Sequence, residues 1–114
     1  MSFDVTDFSM DFFKLDNKVA IVTGGNTGLG QGYAVALAKA GADLFIVTYD
    51  NDWDETRTLI EKEGRKVVFY QTDLSKKENL QPIVDECVKE YGKIDILVNN
   101  AGTIRRAPLL EYKD

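Results

Sequence analysis

Val19-Ala20-Ile21-Val22-Thr23-Gly24-Gly25-Asn26-Thr27-Gly28-Leu29-Gly30 is the stretch whose reading sets the architecture. Its first four residues are apolar, mostly β-branched and not alternating, as in a strand buried on both faces. A glycine-rich turn follows at once. Gly30 to Ala40 is then Ala-rich and reads as a helix, with Gly41 as its stop. A helix that opens directly after such a turn presents unpaired amides and a partial positive charge, which suits a diphosphate. Gly24 is expected to make the turn, Gly28 to let backbone approach a ligand, and Gly30 to let the helix lie close on the sheet. The spacing is G-x-x-x-G-x-G rather than G-x-G-x-x-G. No Lys-Ser or Lys-Thr follows the last glycine, so it is not a P-loop. A glycine-rich turn without a ligand is the bland alternative.

Three more apolar runs of the same kind follow: Leu44-Phe45-Ile46-Val47, Val67-Val68-Phe69-Tyr70 and Ile94 to Val98. Helical segments separate them. Asp52 with Glu55, and Ser75 with Glu78, carry the spacing of a capping box. The first of these helices is expected to end near Glu63 before Gly64. In the second, Leu80, Ile83, Val84, Cys87, Val88 and Tyr91 fall on one face, Gly92 closes the helix, and Pro82 kinks it or shifts its start. The order β-α-β-α-β-α-β implies an α/β fold with a parallel sheet and helices on both faces. Residues 1–17 stand outside this pattern as an arm rich in phenylalanine (Phe3, Phe8, Phe12, Phe13). Residues 18–114 form the folded unit.

The 114-residue length is room for one domain. There are no histidines and one cysteine, Cys87. That excludes a His-based triad, an intrachain disulfide and a Cys-cluster zinc site, and no metal is expected. A single thiol fits a reducing compartment, hence the cytoplasm. The net charge of -5 argues against nucleic acid or an anionic membrane as partner. The longest apolar stretch, Tyr33 to Ala38, is far short of the ~18 residues of a membrane span.

T-G-x-x-x-G-x-G after the first strand resembles the cofactor motif of the short-chain dehydrogenase/reductase family. Asp73-Leu74 after the third strand and Asn99-Asn100-Ala101-Gly102 after the fourth match the same family. The resemblance implies a Rossmann-like doubly wound sheet, here its first four strands in the order 3-2-1-4. It further implies that Gly24, Asn26, Thr27, Gly28, Leu29 and Gly30 surround the dinucleotide's phosphates. Asp73 and Leu74 would meet the adenine. Asn99 would steady the sheet, while Asn100, Ala101 and Gly102 would line the ribose and nicotinamide side. Asp73 also reads as a loop residue beside a helix cap, and Asn99-Asn100 as a plain polar turn. Within the family, Asn99 to Tyr112 is similar to enzymes acting on sugar-acid ketones. Arg105 or Arg106 would then hold a substrate carboxylate, or form a solvated or intersubunit basic pair.

The position that usually separates NAD from NADP holds Thr48, with Tyr49 and Asp50 next. No Lys or Arg lies between Gly41 and Trp53, and Asp43, Asp50, Asp52 and Asp54 would repel a third phosphate. The expected cofactor is NAD, with Asp50 in place of the acid absent at Thr48. The family's proton chemistry uses a Tyr-x-x-x-Lys pair and a serine. None of the five tyrosines has a lysine four places on, so no catalytic residue is assigned. These residues read as the amino-terminal half of an oxidoreductase acting on a small-molecule substrate, and the resemblance implies that the complete protein assembles as a homotetramer. Alone, the half is expected to be marginally stable and inactive, with the fourth strand on an exposed edge. The alternatives are a free-standing, non-catalytic nucleotide-binding module and a structural subunit.

Overall fold

The computed structural model describes residues 14–26 and 28–100. Four strands, β1 (Val19–Thr23), β2 (Asp43–Thr48), β3 (Val67–Gln71) and β4 (Ile96–Asn99), alternate with three helices. The helices are α1 (Gly28–Lys39), α2 (Asp54–Lys62) and α3 (Leu80–Tyr91), with a 3-10 turn, Lys77–Asn79, just ahead of α3. The sheet order is β3-β2-β1-β4, and every pairing is parallel. Ile21 stands opposite both Phe45 and Leu97, and Ile46 opposite Phe69.

Successive side chains of a strand point to opposite faces, and both faces here are covered. Val19, Ile21, Phe45 and Val47 pack with Ile83 and Cys87 of α3. Ala20, Val22, Leu44 and Ile46 pack on the other face with Ala34 and Ala38 of α1 and Ile60 of α2. This is why the runs do not alternate. The two central strands are buried, while β3 and β4, at the edges of the described sheet, are half-buried. Each fully buried large side chain, such as Phe45, contributes about 1.5–3 kcal/mol. The chain builds outward from β1 through β2 to β3, then returns to place β4 on the other side of β1. In sheets of this kind such a reversal marks the usual ligand position, here at the carboxyl ends of β1 and β4.

Several local expectations change. Asp52 does not cap α2, which begins at Asp54 after Trp53, with no side-chain cap bond. The Asp52 amide instead donates to Asp50 Oδ1 (3.3 Å), so this stretch is held as a loop. Ser75 does not cap α3 either; its hydroxyl donates to Asp73 Oδ1 (2.6 Å), and the α-helix starts five residues later at Leu80. Pro82 thereby falls in the first turn, where its missing N–H costs no helical bond. Val88 is 44% exposed, off the face formed by Ile83 and Cys87. Ile94 lies before β4 rather than in it and packs against the Ile83–Cys87 cluster.

The end of the expected N-terminal arm is described from Lys14 onward. The Leu15 amide donates to Ala40 O (2.7 Å), and Asp16 lies against Gly41 at the end of α1. Asp95 holds the other end of the sheet: its Oδ2 accepts the Val19 amide (2.9 Å) and pairs with Lys93 Nζ (3.2 Å). These contacts hold its carboxyl below the usual carboxylate range, the Val19 bond first. No helix among the described residues is long and apolar enough to cross a membrane.

Candidate functional site

The turn after β1 is built by backbone that few side chains tolerate. Gly24 has φ +66° and Gly28 φ +50°, both in the left-handed region. The Gly24 amide donates to Val47 O (2.8 Å), fastening the turn to the end of β2. A Cβ on Gly28 would meet nothing within 4 Å, so the surface there is open. A Cβ on Gly30 would lie 1.9 Å from Gly24 O and 2.7 Å from Asn100 Nδ2. Gly30 thus permits α1 to press against its own leading turn, a closer neighbour than the sheet expected from the sequence. Leu29, 71% exposed, projects beside it. Among the described residues, no bond from outside α1 reaches the amides of Gly28, Leu29 or Gly30.

Thr23 joins this turn to the one after β4. Its hydroxyl donates to Asn99 Oδ1 (3.1 Å) and accepts the Asn100 amide (2.9 Å), while Asn100 Nδ2 reaches Gly24 O (3.5 Å). Residues 76 and 77 positions apart are therefore locked into one ledge at the carboxyl edge of the sheet. Asn99 steadies the sheet through Thr23. Ala101, Gly102, Arg105, Arg106 and Thr27 lie outside the described residues.

The loop after β2 forms the next wall. Thr48, fully buried, donates from Oγ1 to Asp50 O (2.6 Å) and accepts Trp53 Nε1 (2.9 Å). The indole is stacked on Phe69 of β3, with centroids 5.1 Å apart and planes 8° apart. Asp50 Oδ1 accepts Asn26 Nδ2 (2.8 Å), tying this loop to the glycine turn. Tyr49 is 77% exposed, and its carbonyl accepts Gln71 Nε2 (3.3 Å).

Asp73 lies at the same edge of the sheet, beyond β3. Its Oδ1 accepts both the hydroxyl and the amide of Ser75, and these bonds hold its carboxyl below the usual carboxylate range. Its carbonyl accepts Asn79 Nδ2 (2.8 Å), so Asp73 organises the approach to α3. Among the described residues, no bond links it to the other candidates. The Leu74 side chain packs in the core.

The ledge thus unites Gly24, Gly30 and Asn100, and a second cluster unites Asn26 and Asp50. Sequence reasoning missed the work of Thr23, Thr48 and Thr56. Thr56 Oγ1 donates to Gln31 Oε1 (2.6 Å), joining α2 to α1 behind the turn. The spacing of Thr56, four residues before Ile60 and so on the same helix face, was the available signal.

A family model described as short chain dehydrogenase matches residues 18–114. The chain belongs to the short-chain dehydrogenase family. It is 50% identical over 105 residues to an uncharacterized oxidoreductase, YgcW, of Escherichia coli (strain K12), covering 92% of this chain and 40% of that protein. It is 47% identical over 104 residues to the 2-dehydro-3-deoxy-D-gluconate 5-dehydrogenase of Bacillus subtilis (strain 168), covering 91% and 41%. The crystal structure of a short chain dehydrogenase from Mycobacterium paratuberculosis bound to NAD superposes with a TM-score of 0.69 at 34% identity, over 77% of this chain and 38% of that one. The chain spans about two-fifths of the length of these curated relatives. The family and the 3-2-1-4 sheet read from the sequence are those observed.

Proposed function

We propose that the full-length protein is an oxidoreductase that moves a hydride between NAD(H) and a ketone or secondary alcohol of a sugar acid. Residues 18–114 would supply its dinucleotide-binding part. The observation that carries this reading is the Thr23 hydroxyl bridge. It joins the glycine turn to the turn after β4, beside the start of α1, where among the described residues no bond from outside the helix reaches the amides of Gly28, Leu29 or Gly30.

The turn fits the cofactor. Gly28 leaves open space where a Cβ would stand, and Gly30 admits none. In this reading the Gly28 and Leu29 amides, with the helix dipole behind them, hold the diphosphate. Asn26 and Thr27 flank it, and Gly24 keeps the turn tight. Tyr49, Asp50, Asp73 and Leu74 border the adenosine. Asn100, Ala101 and Gly102 border the ribose and nicotinamide. Bound nicotinamide would supply the hydride acceptor or donor. NAD is favoured over NADP because residues 42–52 contain no Lys or Arg and hold Asp43, Asp50 and Asp52. Arg105 or Arg106 would pair with the substrate carboxylate. The similarity to a 2-dehydro-3-deoxy-D-gluconate 5-dehydrogenase supports the substrate class. A cytoplasmic homo-oligomer completes the reading.

The test is to titrate NADH into the full-length protein by calorimetry and then follow NAD+ reduction or NADH oxidation with a panel of sugar acids. Binding with turnover supports the proposal. Binding without turnover on any sugar acid favours a non-catalytic nucleotide-binding module. Absence of binding refutes both.

A further inference from the structure

Two threonines of α2 spend their hydroxyls differently. Thr58 Oγ1 donates to Asp54 O (3.0 Å), four residues back on its own helix. That local bond is the ordinary outlet for a threonine in a helix. Thr56 does not take it. Its side chain is buried, and its Oγ1 reaches Gln31 Oε1 of α1 (2.6 Å) and the Asn26 carbonyl of the glycine turn (3.4 Å), 25 and 30 residues away. A buried hydroxyl is costly unless it is bonded, and here one proton serves two distant acceptors. Asn26 is also held by its side chain. Its Nδ2 donates to Asp50 Oδ1 (2.8 Å) and to Asp52 O (3.1 Å). The middle of the glycine turn is thus tied by its side chain to the loop after β2 and by its backbone to α2.

We propose that Thr56 is a positioning residue for the diphosphate: it sets the orientation of the Asn26 carbonyl and so of the peptide that leads into α1. The proposal rests on the nicotinamide-cofactor reading above. A planar trans peptide points its C=O and the N–H that follows to opposite sides. A carbonyl drawn toward α2 therefore turns the next amide away from α2, and that amide is the one offered to the diphosphate. With Gly24 and Gly25 just before it, the chain itself restrains this peptide little, so the restraint has to come from outside the turn. Gln31 has a different part. Its bond to Thr56 joins α1 to α2 and does not touch the turn.

The test measures NADH binding to the full-length protein by calorimetry, with urea unfolding of the same variants. Thr56→Val keeps the shape of the side chain and removes the hydroxyl. It is expected to weaken NADH binding about 3- to 10-fold, the range of one hydrogen bond. Thr56→Ser returns the hydroxyl and is expected to restore most of that affinity. Gln31→Met removes the bond between α1 and α2 but leaves the Thr56 hydroxyl to Asn26 O. It is expected to lower the unfolding midpoint and leave NADH affinity unchanged. A Thr56→Val protein that loses stability but binds NADH as wild type does overturns the proposal, because the hydroxyl is then structural only. Equal losses of affinity in Thr56→Val and Gln31→Met also overturn it, since the effect would then run through helix packing. Should Thr56→Val not fold, Thr56→Cys, whose thiol is a weak donor, decides in its place: weakened NADH binding supports the proposal and wild-type binding overturns it. A wild-type protein that binds no NADH shows instead that the cofactor reading has failed, and the proposal with it.

Discussion

The same substitution at two glycines of one helix should have opposite effects. Gly32→Ala adds a Cβ that meets no atom within 4 Å. Replacing a helical glycine with alanine there should stabilise the protein by about 0.5–1 kcal/mol. Gly30→Ala gains the same propensity but places its Cβ 1.9 Å from Gly24 O. Real Cβ atoms essentially never come nearer than 3.0 Å, so the helix and its turn must part by about 1.1 Å. The colliding atom is backbone, and the turn is fastened to Val47 O on one side and to Asn100 on the other. Relief by a side-chain rotation is therefore closed off. Overpacking of this kind costs about 1–3 kcal/mol, with the upper part of the range expected here. After the propensity gain, the net loss is about 2 kcal/mol, roughly 30-fold in the folding equilibrium. Urea unfolding of the full-length protein measures both variants against wild type, reading the midpoint at constant slope. NADH affinity should fall in Gly30→Ala and hold in Gly32→Ala. Equal midpoints for the two variants would refute the argument that Gly30 is a steric necessity of the turn.

Thr23→Val removes the hydroxyl that joins the two turns and should cost about 1–3 kcal/mol of stability, together with cofactor affinity, while Thr23→Ser restores most of both. Denaturation and calorimetry on the two variants check this. Asp95 has a lowered carboxyl pKa in the fold, so its contribution is present above the ordinary carboxylate range and is lost as pH falls through the folded value. Asp95→Asn should therefore flatten the acid side of the stability profile and lower stability at neutral pH, as read from thermal unfolding across a pH series. Burial pushes the Cys87 thiol up to about 11. Iodoacetamide should leave it unmodified in the folded protein at neutral pH and label it quickly in urea, as followed by mass spectrometry.

Four strands were legible because each is a short apolar run without alternation, with both faces buried in β1 and β2 and partly covered in β3 and β4. The ends of the helices were legible at Gly41, Gly64 and Gly92, all of which adopt positive φ. The starts of α2 and α3 were not. A capping signature shows only one of the partners open to a residue, and here the loops that precede both helices are held by others, one distant in the chain and the rest nearby. Asp50 is held by Asn26 and Trp53 by Thr48, while Ser75 closes onto Asp73. The glycine turn was legible as a diphosphate cradle because the need for positive φ is written in the glycines. The bridge that assembles the ledge was not. A threonine at a strand end carries no mark of a partner 76 residues away. The commitment of Thr48 was hidden for the same reason, since its two partners become neighbours only once the loop wraps back over Phe69.

The account turns on where a dinucleotide lies. A crystal structure of the full-length protein with NAD+ tests this most directly. The diphosphate is expected against the amides of Gly28 and Leu29, with the adenosine ribose beside Asp50 and the nicotinamide end running past Asn100. A dinucleotide held elsewhere, with those amides facing only solvent, would contradict it.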